Sequence, residues 1–157
     1  MNIPKHIGII LDGNRRWART KGLPTFEGHR QGFENLKKIA KHAFDRDIEI
    51  VTVYAFSTEN WNRDKKEVKY LMDLFRLLVT KETNILHKQG IKINFFGRQE
   101  DFEKDLQDSM VKALEKTKDN KKGILNICLS YGGRDELVRA FKKIIQTFIR
   151  CSKIIYC

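Results

Sequence analysis

The stretch HIGIILDGNRRWA, residues 6–18, decides how this chain folds. Its opening run, His6 to Leu11, is short, apolar and rich in β-branched residues, the pattern of a strand buried inside a sheet. Asp12, Gly13 and Asn14 then end the run with turn-forming residues. The rest of the chain repeats this theme of apolar run, turn and amphipathic stretch. Residues 28–45 place Phe33, Leu36, Ala40, Ala43 and Phe44 at three-and-four spacing, which predicts a helix with one buried face. IEIVTVYAF, residues 48–56, predicts a second strand. From Lys65 to Gln89 the apolar positions Val68, Leu71, Met72, Phe75, Leu78, Ile85 and Leu86 predict one long helix, stopped by Gly90. IKINFFG, residues 91–97, is the third predicted strand. Phe102, Leu106, Met110, Ala113 and Leu114 mark the next helix, and a turn at Gly123 leads to the fourth strand, ILNICLS, residues 124–130. A last helix begins near Arg134 and carries Leu137, Val138, Phe141, Ile144, Ile145 and Phe148.

Strands that alternate with helices predict an α/β fold with an open, mainly parallel sheet and helices on both faces. A chain of 157 residues without an internal repeat, a low-complexity tract or a linker reads as a single domain, 1–157. Thirty-one Lys and Arg against 20 Asp and Glu give a formal charge of +11. The partner is therefore expected to be anionic: nucleic acid, an acidic membrane surface or a phosphorylated small molecule. No helix-turn-helix, zinc-finger or RNP signature is present, so nucleic acid is not expected. Cys128, Cys151 and Cys157 are odd in number and lack C-x-x-C spacing, which argues against a disulfide framework or a zinc site and for a cytoplasmic setting. The N-terminal apolar run is cut off at Asp12, unlike a signal peptide, and no run approaches the ~20 apolar residues that span a bilayer. Any membrane contact is expected to be peripheral, at the inner face.

In open α/β sheets, ligands bind beyond the carboxyl ends of the strands. Four polar clusters stand near such ends. After the first strand, Asp12, Gly13, Asn14, Arg15 and Arg16 open a helix, where free backbone N–H groups and two guanidinium groups suit a diphosphate. Asp12 offers the oxygen ligand that a phosphate-bridging magnesium ion requires. The alternative is that Asp12 or Asn14 only caps the helix. GHRQG, residues 28–32, sets His29 and Arg30 at the predicted start of the next helix, where a second anion fits or where His29 is simply structural. After the second strand, AFSTENWNR, residues 55–63, groups Ser57, Thr58, Glu59, Asn60 and Arg63 around Phe56 and Trp61. That mixture suits a ligand with a charged head and an apolar body; its alternative is a capping stretch with Trp61 in the core. SYGGRDELV, residues 130–138, is either a phosphate nest or a tight turn.

With these clusters together, the chain resembles the cis-prenyltransferase family of undecaprenyl diphosphate synthase type from about Pro4 to about Ala140. HIGIILDGNRRWA, GHRQG, TVYAFSTENWNR, INFFGR and LNICLSYGGRDELVRA are similar to successive family signatures, in order and at family-like separations. The resemblance implies an isoprenyl transferase that condenses isopentenyl diphosphate with an allylic diphosphate, such as farnesyl diphosphate, in cis. It implies Mg2+ as cofactor, a homodimer, and a polyprenyl diphosphate lipid carrier for cell-wall glycan synthesis as product. By resemblance, Asp12 is the catalytic acid and magnesium ligand. Gly13, Asn14, Arg15 and Arg16 bind the allylic diphosphate, with Trp17 and His29 beside it. Ser57, Thr58 and Glu59 line the meeting place of the substrates, flanked by Trp61 and Arg63.

The family often gives the proton-accepting role to the position of Asn60; a neutral amide is a very poor base, so Asn60 is expected to position a substrate or water instead. Two departures stand out. Thr25 occupies the place of an arginine that many bacterial members carry before the GHxxG motif. The late family segment, with arginines for isopentenyl diphosphate and a second magnesium carboxylate, is not visible, and after Glu136 the chain has no acid and closes on FIRCSKIIYC. That tail reads as a membrane-surface helix or as an altered C-terminus. The expectation is a chain impaired in condensation, the N-terminal part of the family domain. The alternative is a non-catalytic diphosphate-binding partner or remnant, although such partners tend to lose the acid and arginine pair kept here as Asp12, Arg15 and Arg16.

Overall fold

The computed structural model describes residues 3–155, with side chains to residue 149. The side chains of residues 150–157, those of Cys151 and Cys157 among them, lie outside the described residues. Four strands, β1 (His6–Ile10), β2 (Ile50–Ser57), β3 (Ile91–Phe96) and β4 (Gly123–Tyr131), form one sheet in the order β1-β2-β4-β3, with every pair parallel. The helices are α1 (Asn14–Thr20), α2 (Thr25–Asp45), α3 (Lys65–Leu77), α4 (Thr83–Lys88), α5 (Lys104–Thr117) and α6 (Gly133–Ile155). No helix among the described residues is long and apolar enough to cross a membrane.

Register explains where the core lies. Ile9, Val53, Ile127 and Phe95 stand in one cross-strand row, and Ile7, Val51, Leu125 and Ile93 in another. Both rows pack into a single cluster with Phe33 and Phe44 of α2, Leu71 and Phe75 of α3, and Leu106 and Met110 of α5. Fully buried side chains such as Ile93 and Met110 each contribute about 1.5–3 kcal/mol. The opposite face is mixed: an apolar and aromatic row, Ile10, Tyr54, Cys128 and Phe96, lies beside a polar one. Asn94 Nδ2 donates to Asn126 Oδ1 at 3.0 Å, Asn126 Nδ2 donates to Thr52 Oγ1 at 3.0 Å, and the His6 ring lies 2.7 Å from the same hydroxyl. Helices therefore cover one face closely. On the other, Ile10 and Phe96 remain 74% and 45% exposed, and the described side chains of α6 are exposed apart from Asp135.

Two boundaries differ from the sequence expectation. The helix expected over 65–89 is α3 and α4 joined by a π-turn, Leu78–Glu82. The Thr83 hydroxyl donates to the carbonyls of Leu78 and Val79, and that of Thr80 to Arg76, so threonine side chains compete for the helical ladder there. Helix α2 begins at Thr25 rather than Gly28, because Pro24 at φ −57° pre-sets the chain for a helix and has no N–H to leave unpaired. His29 is consequently inside the helix, one turn from its start.

The contact between α1 and α2 places the future site. A Cβ at Gly28 would fall 2.1 Å from the Asn14 carbonyl oxygen, and one at Gly32 within 2.4 Å of the Asn14 side chain. The two glycines of GHRQG thus serve close helix approach, and Arg30 between them pairs with Glu27.

Candidate functional site

The turn after β1 is built around its acid. Gly13 takes a left-handed conformation, φ 82°, which glycine adopts without steric cost. The Asp12 carboxylate accepts the Gly13 N–H through Oδ1 at 2.6 Å and Arg16 Nη2 through Oδ2 at 3.0 Å. Neither Asp12 nor Asn14 caps α1, which starts without any side-chain cap. The side chains of Asp12, Arg15 and Arg16 stay 77%, 59% and 69% exposed, free to meet a solute.

They open onto a cleft of about 710 Å³. Its walls include Asp12, Gly13, Asn14, Arg15, Arg16, His29 and Arg63, and also Thr25 and Arg19, a cation that the sequence reading did not single out. Four guanidinium groups around one carboxylate give the cleft an excess of positive charge, which suits an anion. Helix α1 is only seven residues long, so the arginines rather than its dipole supply most of the positive potential.

A second missed residue holds the wall together. Glu67 of α3, with its side chain 8% exposed, accepts Arg63 Nη1 at 2.9 Å and lies 3.0 Å from His29 Nε2 through Oε1, while Oε2 is 3.8 Å from Arg15 Nε. Burial lowers the His29 pKa below its ordinary 6.5; the Glu67 hydrogen bond and charge oppose this, and the nearby Arg63 and Arg15 charges reinforce it. Burial therefore favours the neutral ring. An Arg at i and Glu at i+4 was the available signal for Glu67, but such pairs are common on exposed helices.

The segment after β2 behaves differently. Ser57 and Asn60 form a reciprocal capping box: Asn60 Oδ1 accepts the Ser57 N–H at 3.2 Å and the Ser57 hydroxyl accepts the Asn60 N–H. Thr58 packs its hydroxyl against Gly132. Glu59 is exposed, and hydrogen bonds from its own backbone N–H and from Ser57 hold its carboxyl below the usual range. Trp61 donates from Nε1 to Ser130 at 2.9 Å and packs edge-on against Phe56 with centroids 4.9 Å apart. Of this segment, only Arg63 lines the cleft.

Asn60 reaches a narrow adjoining cavity of about 50 Å³, shared with Asn14, His29, Arg63, Phe33 and Phe75. Ser57, Thr58, Glu59, Trp61 and the 40% exposed Trp17 are not on the cleft wall. Gly132 and Gly133 form the turn into α6, where the Glu136 N–H donates to the Gly132 carbonyl at 2.8 Å.

Among the described residues no three His, Cys, Asp or Glu side chains gather as a metal cage. Asp12 nonetheless fits magnesium, because each carboxylate oxygen accepts one hydrogen bond and keeps a further lone pair, and such an ion usually takes one or two carboxylates plus phosphate oxygens and water.

The model of one family, putative undecaprenyl diphosphate synthase, matches residues 10–154. The chain belongs to that family. An isoprenyl transferase of Heliobacterium mobile is 46% identical over 144 residues, which are 92% of this chain and 55% of the relative. A ditrans,polycis-undecaprenyl-diphosphate synthase, (2E,6E)-farnesyl-diphosphate specific, of Legionella pneumophila is 40% identical over 147 residues, 94% of this chain and 62% of that protein. Among solved structures, lavandulyl diphosphate synthase from Lavandula x intermedia in complex with dimethylallyl diphosphate superposes with a TM-score of 0.88 at 32% identity, covering 94% of this chain and 64% of that one. A probable undecaprenyl diphosphate synthase from Campylobacter jejuni gives a TM-score of 0.73 at 27% identity, with the same coverage. This member of the undecaprenyl diphosphate synthase family thus spans little more than half the length of the curated relatives it matches.

Proposed function

We propose that the cleft takes the diphosphate of an allylic prenyl donor, and that these residues serve cis-prenyl transfer to isopentenyl diphosphate. The observation that carries this reading is the convergence of Asp12 with Arg15, Arg16, Arg19 and Arg63 on one open cleft. The lavandulyl relative's complex with dimethylallyl diphosphate is in keeping with it. Space for an apolar tail lies beyond Phe33, separated from the cleft by a narrow cavity. Phe33 lines the narrow cavity beneath it and also an apolar pocket of about 250 Å³ between α2 and α4, with Leu36, Ala40, Leu78, Ile85 and Leu86.

In this reading the arginines bind the diphosphate oxygens as charge-assisted donors. Asp12 would hold magnesium, which when bound would neutralise charge on the departing diphosphate. Neutral His29 supplies a directed ring nitrogen rather than a charge. Asn60, whose carbonyl oxygen already accepts the Ser57 N–H, keeps its amide N–H groups to position a substrate; the amide takes no proton. The product by family resemblance is a polyprenyl diphosphate lipid carrier.

The test is calorimetry of the chain with farnesyl diphosphate and magnesium. Saturable binding that Arg15→Ala weakens is expected; no binding overturns the proposal. Incorporation of radiolabelled isopentenyl diphosphate then separates transfer from the second reading, a diphosphate-binding remnant without turnover. That separation matters because the chain covers 55% of the Heliobacterium relative.

A further inference from the structure

We infer that Glu67 is the positioning residue of the cleft, the buried group whose two oxygens set the geometry in which Arg63, Arg15 and His29 receive a diphosphate. The inference rests on the reading of the cleft as a diphosphate site. Three elements converge on this carboxylate: Arg15 from α1, His29 from α2, and Arg63 from the turn before α3. Its side chain is 8% exposed, so no solute reaches it freely and its contacts are with the protein. A buried carboxylate must be paired, and here its partners are cleft-lining groups rather than other parts of the core.

The chemistry makes the arrangement specific. A carboxylate only accepts, so His29 must present Nε2 as N–H and keep Nδ1 as acceptor, which fixes one tautomer. Arg63, half-buried, is held by the same oxygen, and one guanidinium edge stays committed while the rest faces the cleft. Without that tether a long side chain with ample rotamer freedom pays ordering entropy each time a ligand binds.

Glu67→Gln discriminates this role from simple electrostatics by sign. The change removes a negative charge from the wall of an anion site, so Coulomb attraction alone predicts tighter binding of inorganic diphosphate. The positioning role predicts the reverse. Gln offers one acceptor oxygen and one NH2 in place of two acceptor oxygens, so with its oxygen on Arg63 and His29 it turns a donor toward Arg15 and loses the charge that tethers Arg63.

The experiment is calorimetric titration of the full chain with inorganic diphosphate, alongside 15N NMR of the His29 ring. For Glu67→Gln we expect affinity weaker by about tenfold, the loss of one charge-assisted hydrogen bond's worth of organisation. In Glu67→Leu, which removes the acceptor altogether, we expect a mixed His29 tautomer where the native chain shows Nε2–H alone. Glu67→Asp, which keeps two acceptor oxygens, should retain the single tautomer and most of the affinity, and it carries the test if the Gln variant does not fold. Equal or tighter binding by Glu67→Gln, or a His29 tautomer indifferent to Glu67→Leu, overturns the inference while leaving the cleft assignment intact. No binding of inorganic diphosphate by the native chain overturns that assignment, and the inference with it.

Discussion

Two segments of this protein leave parallel strands with nearly the same endowment of polar side chains, and they use them in opposite ways. Asp12–Arg16, after β1, turns its acid and arginines outward, with side chains 59–77% exposed around an open cleft. Ser57–Arg63, after β2, turns most of its groups onto the protein: Ser57 and Asn60 cap each other, Trp61 binds Ser130, Glu59 stays exposed, and Arg63 alone joins the cleft. Density of hydrogen-bonding residues therefore does not by itself tell which side chains open onto the cleft. The two segments differ in how the following turn of helix starts. After the left-handed Gly13, α1 starts without a side-chain cap, whereas the 3-10 turn Thr58–Asn62 opens on the Ser57–Asn60 capping box.

That contrast can be broken at several points. The largest effect is expected beneath the first segment, where Gly28→Ala sets a Cβ against the Asn14 backbone and should cost about 3 kcal/mol or more in stability, read as a lowered thermal midpoint. An unchanged melt would show that α1 can move away from α2 freely. Next comes Arg16→Ala, expected to weaken diphosphate binding by about tenfold to a hundredfold in calorimetry while the melt barely shifts. Ser57→Ala should do the opposite, with a loss of about 1 kcal/mol in denaturant unfolding and diphosphate affinity kept within about twofold. If Ser57→Ala instead weakened binding and left unfolding alone, the two segments would not differ in the way described.

The smallest effect concerns pH. His29 has its pKa lowered in the fold by burial, so as pH falls below 6.5 the unfolded chain takes up a proton that the folded chain resists. Stability should drop through that window, down to the lowered folded value, and return as pH rises. Urea midpoints measured across it should fall less steeply in His29→Asn; parallel slopes would remove His29 as the source.

The fold was largely legible along the chain. Each strand lies within a residue or two of its apolar run, and the helical stripes Phe33 to Phe44 and Leu106 to Ala113 do enter the core. These are local periodicities, and local periodicity is what a linear pattern records. The break at Leu78–Glu82 was hidden because Thr80 and Thr83 compete for backbone carbonyls without disturbing the apolar spacing. The order β1-β2-β4-β3 was equally beyond local pattern.

For the site, the sequence by itself determined the turn at Asp12-Gly13-Asn14 and its arginines, since a strand end, a left-handed glycine and adjacent charges are all neighbours in the chain. Only the tertiary structure decided that Arg19, Arg63 and His29 share that cleft, that the GHRQG glycines press on Asn14, and that Glu67 ties three elements together. The reason is physical: residues separated by dozens of positions meet through helix packing over a sheet. Which polar groups remain exposed depends on contacts that packing alone creates.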